Sequence, residues 1–361
     1  MSIARTIGWV AYVTVAALML TATSARAAEM NPELKKLAAA ADKEGGVNLS
    51  WSQSTLGGSQ GAALIQTAMN KMFGTRVRLN FAPGPAMARI GNQLATEWQA
   101  KQPAHVDVYL GAAAQTAPLV KLGFFEAVDW KRYLPERVNS EFVEVDGQAL
   151  RFVTGLSGVT YNSRLAPFKP TTLADFLKPE WKGKIASTPY AASFDVLVAD
   201  DVWGKEKTFD YVRKLTSQIS GLIRCGDSER IATGEFIALV MDCTGQDAKI
   251  WQERGAPMDQ MIPLDAAQQR YYYLSVPKHA KNPNAAKLFS LFMLTKEGQR
   301  LAYQTWKADL HVYPESQLGK QVRDYIGKGV TFKEVTIGWW LKHPEINSYK
   351  RQMIKILTKK N

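Results

Sequence analysis

Apolar and polar residues alternate along Val47-Asn48-Leu49-Ser50-Trp51, which predicts a strand. A polar, glycine-bearing loop follows over 52–61. A helix then places Leu64, Ile65, Ala68, Met69 and Met72 on one face. The pattern repeats. Val77–Phe81 reads as a strand, Pro83-Gly84-Pro85 breaks the chain, and Met87, Ile90, Leu94 and Trp98 share a helical face. Val106–Leu110 is a third strand, ended by Gly111. Glu144–Gly155 reads as a hairpin about Asp146-Gly147 that leads into a crossing strand. A second series of units follows. Strands are predicted at Lys184–Ser187, Ile219–Arg224 and Phe236–Met241, with helices from Ser193, over Asp227–Gly234 and over Ala248–Arg254. Arg270–Val276 is a return strand. Asn282-Pro283-Asn284 then opens a helix carrying Ala285, Leu288, Phe289 and Phe292, with Asn282 as its cap. A second helix carries Leu301 and Tyr303, and further helices with Trp339-Trp340 close the chain. Strands alternating with helices predict α/β sheets, mostly parallel, with ligands at the carboxyl ends of the strands.

The 361 residues, 46% hydrophobic, can bury the cores of two domains. Residues 1–27 read as a secretory leader. Arg5 begins it, Ile7–Leu20 is apolar, and Ala25-Arg26-Ala27 predicts cleavage after Ala27 and a mature start at Ala28. Removing Arg5 and Arg26 lowers the formal charge from +12 to +10. The basic residues are scattered, apart from the short Lys359-Lys360 tail, and no nucleic-acid motif is visible, so no nucleic-acid partner is expected. Cys225 and Cys243 are the two cysteines. In an exported chain they read as a disulfide closing a loop of about 17 residues and adding on the order of 3 kcal/mol, the other reading being two buried thiols.

Catalysis and metal binding find little support. Gly57-Gly58-Ser59-Gln60-Gly61 fits a G-x-S-x-G nucleophile pattern, but Ser59 stands too far beyond the strand ending near Trp51 to be a nucleophile elbow. His105, His279, His311 and His343 occupy no triad-like positions, and metal-ligand spacings are missing. No enzyme activity and no cofactor are expected. Arg224 ends a strand and could pair bidentately with a carboxylate or phosphate, the other reading being a bridge to Asp227 or Asp242. Asp242, Gln246 and Asp247 offer polar contacts nearby. On the return strand Tyr271 and Tyr273 face one side and Tyr272 the other, with one side toward a cleft.

Three segments in order carry a family resemblance: Gly158–Leu165, then Leu173–Leu177 with Trp181–Ala186, then Lys278–Gln299. Together they resemble bacterial periplasmic solute-binding proteins of the second structural type, which feed ABC importers. The likeness is nearest the branch of ferric-ion, polyamine and phosphorylated-solute binders. It implies a two-lobed α/β fold, each lobe a mostly parallel sheet flanked by helices, with the ligand cleft between lobes. The implied division is 28–155 for lobe one, 156–272 for lobe two, 273–310 returning to lobe one, and 311–361 as C-terminal helices on lobe two. Crossings near Gly155, Tyr272 and Leu310 would hinge the lobes.

The ligand set combines Ser52, Ser54 and Thr55, Gly111 and Ala112 from lobe one with Tyr190, Ala192, Ser193, Arg224, Asp242 and Gln246 from lobe two, and Tyr272 from the hinge. Related binders hold an anion at the turn matching Thr188–Phe194. Ferric binders place adjacent tyrosines where this chain reads Asp242-Cys243-Thr244-Gly245-Gln246, so iron is disfavoured. The expectation is a monomeric periplasmic protein that captures a small polar, anionic organic solute for an ABC permease. The alternatives are ferric-ion or polyamine capture, a ligand sensor for a membrane histidine kinase, and a secreted serine hydrolase using Ser59.

Overall fold

The computed structural model describes residues 30–359. The leader and its cleavage site lie outside the described residues. The strands are β1 Gly46–Trp51, β2 Arg78–Pro83, β3 Tyr109–Ala112, β4 Val143–Glu144, β5 Ala149–Asn162, β6 Ile185–Ser187, β7 Ile219–Leu222, β8 Ala238–Asp242, β9 Met258–Met261, β10 Gln268–Ser275 and β11 Lys333–Val335. Among the described residues no helix is long and apolar enough to cross a membrane.

β5 organises the molecule. Its first part, through Ser157, pairs antiparallel with β10, which pairs in turn with β3 and β11. Its second part, Gly158–Asn162, pairs antiparallel with β8 and β9, and β8 continues in parallel to β6 and β7. One strand therefore passes from one sheet region into another. Glycines at the passage let the chains come close. A Cβ on Gly155 would meet Thr244 Cγ2 at 2.6 Å, and one on Gly158 would meet the Met261 carbonyl oxygen at 2.2 Å. The expected mostly parallel sheets are mixed instead, because the crossing strands β5 and β10 run antiparallel to their principal neighbours.

Each region has its own aromatic packing. In the first, Trp51 stacks on Phe289 at 6.2 Å and Phe73 meets Phe292 edge-on. In the second, Trp181 is fully buried against Phe176 at 4.8 Å. Helix Ile337–Lys342 packs on helix Ala113–Val120, whereas helix Ile346–Thr358 packs on Lys205–Thr216. The helix beginning at Pro283 is capped differently from the expectation. Asn282 makes no side-chain cap; its amide donates to Asp107 at 2.9 Å. The Glu44 carboxylate, distant in sequence, accepts from the backbone N–H groups of Asn284 and Ala285. An anion at a helix start satisfies orphan donors and matches the dipole.

Candidate ligand-binding site

The carboxyl ends of β6, β7 and β8 converge beside the β5–β10 crossing. After β6, the loop to Ser193 places two non-glycine residues at positive φ, Ala191 at 51° and Ser193 at 64°. Such backbone is costly and concentrates at functional loops. Tyr190, half-buried, accepts a 2.7 Å hydrogen bond from the Cys225 N–H and so ties this loop to the end of β7. Burial pushes its phenol up. Ala192 N–H donates to Thr188 Oγ1 at 2.9 Å, and the buried Ser193 hydroxyl donates to the Asp242 carbonyl at 3.4 Å. The following helix is a single turn, Phe194–Leu197, so it lends an anion little dipole.

Cys225 and Cys243 form a disulfide with Cα atoms 5.9 Å apart, joining the loops after β7 and β8. Asp242, Cys225 and Cys243 cluster tightly, but both sulfurs are consumed by the bridge and leave no metal-ligand set. Arg224 is exposed. Its N–H donates to Asp227 Oδ2 at 3.1 Å, while its guanidinium makes no ion pair with Asp227, Asp242 or any other described residue.

Asp242 is buried at the end of β8 and accepts 2.6 Å hydrogen bonds from Thr160 Oγ1 and the Cys243 N–H. Burial raises its pKa against these bonds. Asp247 is raised to about 7, first by burial and then by Asp242 and Asp227. Gln246 is buried. Its Oε1 accepts from Thr244 Oγ1 at 2.7 Å, and its Nε2 has no partner. A buried donor left open is costly unless something fills it.

Tyr272 closes the cluster. It stands opposite Ala112 of β3, with Gly111 opposite Tyr273. It lies beside Thr244 and 5.1 Å from the Trp306 ring, and burial pushes its phenol up to about 12. The loop after β1 reaches this group indirectly. Ser52 Oγ lies 2.7 Å from Thr55 Oγ1 and 3.5 Å from Ser54 Oγ, with Ser52 and Ser54 exposed and Thr55 buried. Gly57 packs on Thr305, next to Trp306. The contacts therefore join the second-region residues to Tyr272 and Ala112, and leave Ser52, Ser54 and Thr55 as a neighbouring group. Ser59 is exposed in the first turn of helix Gly58–Phe73 and makes no hydrogen bond through its hydroxyl.

Sequence reasoning missed Arg270. It shares the Tyr272 face of β10 by the period of two and donates through Nη2 to Asp195 at 3.0 Å and to Gln268 at 3.1 Å. Its buried Nε has no partner. Asp195 is fully buried; burial alone would raise its pKa, but Lys350 and Arg270 hold it low. The available signal was the spacing to Tyr272.

A model of the family described as bacterial extracellular solute-binding protein matches residues 65–327, and the chain belongs to that family. An uncharacterized protein from Haemophilus influenzae is 28% identical over 144 residues, 37% of this chain; the chain spans 40% of that curated relative's length. Among solved structures, the substrate-binding protein of an ABC transporter from Agrobacterium tumefaciens superposes with a TM-score of 0.68 at 16% identity, covering 86% of this chain and 94% of that one. The periplasmic binding protein AfuA from Actinobacillus pleuropneumoniae, with fructose-6-phosphate bound, gives 0.61 at 22% identity over 73% and 85%. Iron-bound HitA from Pseudomonas aeruginosa gives 0.65 at 16% over 85% and 99%. The fold is the two-lobed α/β fold of type 2 periplasmic binding proteins.

Proposed function

We propose that this protein captures a small polar, anionic organic solute in the periplasm, as a monomer, and delivers it unchanged to an inner-membrane ABC permease. On this reading lobe one comprises 28–155 and 273–310, lobe two comprises 156–272, and 311–361 forms the C-terminal helices. The observation that carries it is a chain of contacts at the ends of β7 and β8: Tyr190 holds Cys225, next to Arg224, the Cys225–Cys243 bridge leads to Thr244 and Gln246, and Thr244 lies beside Tyr272, with the guanidinium of Arg224 and the amide of Gln246 both open. An open guanidinium and an open buried amide suit a carboxylate or phosphate bearing further acceptors. No chemistry is required of the site: capture and lobe closure suffice.

A second reading, capture of an organic cation such as a polyamine, is favoured by one observation. Burial raises Asp247 to about 7, and Asp242 and Asp227 lie close enough to add to that rise. Ferric ion is disfavoured because Asp242-Cys243-Thr244-Gly245-Gln246 stands where a tyrosine pair would be needed, and Cys243 is bridged.

A thermal-shift screen of metabolites on refolded, ligand-free protein should find a stabilising organic anion. Calorimetry of Arg224→Ala should then show a loss of about 2–5 kcal/mol, because lobe closure over the solute would bury the now exposed guanidinium together with its anionic partner. A hit set made only of polyamines, with Arg224→Ala unchanged, would overturn the anionic reading and support the cationic one.

A further inference from the structure

The hinge strands have a second face. Alternation along β10 turns Gln269 and Tyr271 away from the Tyr272 side. There, with Arg151 of β5, His311 and helix Gln317–Gly327, they line a cavity of about 620 Å³, distinct from the group around Tyr190, Arg224 and Tyr272. That volume lies within the range of about 300–1,000 Å³ typical of small-molecule sites.

The walls differ in character. Leu310, Val322, Ile326, Val330 and Phe332 give an apolar surface, and Ile326 is 56% exposed. The charged lining consists of two arginines and two glutamates. Arg151 is satisfied. It lies over the Tyr271 ring at 4.1 Å, donates to Glu144 at 2.7 Å and donates to Glu334 at 3.0 Å. Glu334 also accepts from the Tyr271 hydroxyl at 2.6 Å. Glu141 is exposed to water. The Arg323 guanidinium makes no hydrogen bond or ion pair with any described residue. Its guanidinium lies against Gly319, where a Cβ would come within 3.1 Å of Nη1 and 2.3 Å of the His311 carbonyl oxygen. The missing side chain at Gly319 thus keeps the cavity open beside a cation with no partner. His311 adds a polar wall without charge, because burial lowers its pKa to about 4.

We infer that this cavity is a second ligand site, taking a small carboxylate with an apolar body, the carboxylate on Arg323 and the body against Val322, Ile326 and Val330. A guanidinium matches a carboxylate in charge and in fork geometry. An occupant would rest on the same strand that presents Tyr272 to the other side.

The test is calorimetric titration of the mature chain with 3-phenylpropanoate. Saturable one-site binding is expected. The uncharged analogue 3-phenylpropanamide and the variant Arg323→Met should each bind roughly tenfold or more weakly. Arg224→Ala should bind like the parent, which separates this site from the cleft. Arg323 is exposed, so melting curves without ligand should match; Arg323→Lys, keeping the charge but not the fork, should bind between the parent and Arg323→Met. Lack of saturation up to about 10 mM, equal binding of the amide, full binding by Arg323→Met, or loss of binding in Arg224→Ala would each overturn the inference. None of these results bears on solute capture between the lobes.

Discussion

Asp247 carries the clearest pH dependence at the scale of a single residue. Its carboxyl is raised to about 7 in the folded chain, by burial and by Asp242 and Asp227, whereas an unfolded aspartate titrates near 3.9. Its contribution to stability is therefore fully present below about pH 4 and is lost as the pH rises toward 7. Asp247→Asn should leave the melting temperature unchanged near pH 4 and raise it near pH 8, by a stability on the order of 1–3 kcal/mol after allowing for partial solvent screening. Melting curves at the two pH values decide it, and equal curves at pH 8 would remove the strain ascribed to this carboxylate. Residues of this kind were half legible in the sequence. Tyr272 could be read from alternation and Arg224 from its place at a strand end. The open amide of Gln246 could not, because its isolation depends on Thr244 taking the other end of that side chain.

Elements show where pattern suffices and where it fails. β1, β2 and β10 fall within a few residues of expectation because one face of each alternates. β9 was missed. Met258-Asp259-Gln260-Met261 buries only its ends, and β11 has just three residues. Nearly all of β5 is buried on both faces, so the hairpin and the crossing near Gly155 were legible, but the strand's unbroken run to Asn162 was not. The glycine pattern around Ser59 has a packing explanation. Leu56, Gly57 and Gly58 all have positive φ, and a Cβ on Gly61 would stand 1.6 Å from the Leu56 carbonyl oxygen. Gly61→Ala should therefore destabilise the protein by about 1–3 kcal/mol in denaturant melts, whereas Ser59→Ala should melt like the parent. The reverse order would return Ser59 to consideration. The Cys225–Cys243 bridge closes a short loop, and replacing both cysteines with serine should cost about 3 kcal/mol. Unchanged stability would mean that the loops after β7 and β8 hold their places without it.

Across the whole molecule, the family likeness made two lobes legible from three short segments, but not the contacts between them. On the proposed division, helix Gln246–Glu253 belongs to lobe two, and Lys307, ending helix Lys296–Trp306, belongs to lobe one. Glu253 and Lys307 form a 2.7 Å ion pair. On that division the pair would exist only while the lobes lie together, and so would add to the differential affinity by which a solute selects the closed state. Glu253 is largely exposed, which limits the ion pair to about 0.2–1 kcal/mol. Glu253→Gln should accordingly weaken solute binding by about 1.5–5-fold, chiefly through faster release. Small-angle scattering should show a larger radius for the ligand-free variant than for the ligand-free parent, with the two converging when solute saturates both. If Glu253→Gln released solute at the parent rate and kept the parent radius, the pair would be a surface contact that moves with one lobe, and closure would rest on Tyr272, Arg224 and the solute alone.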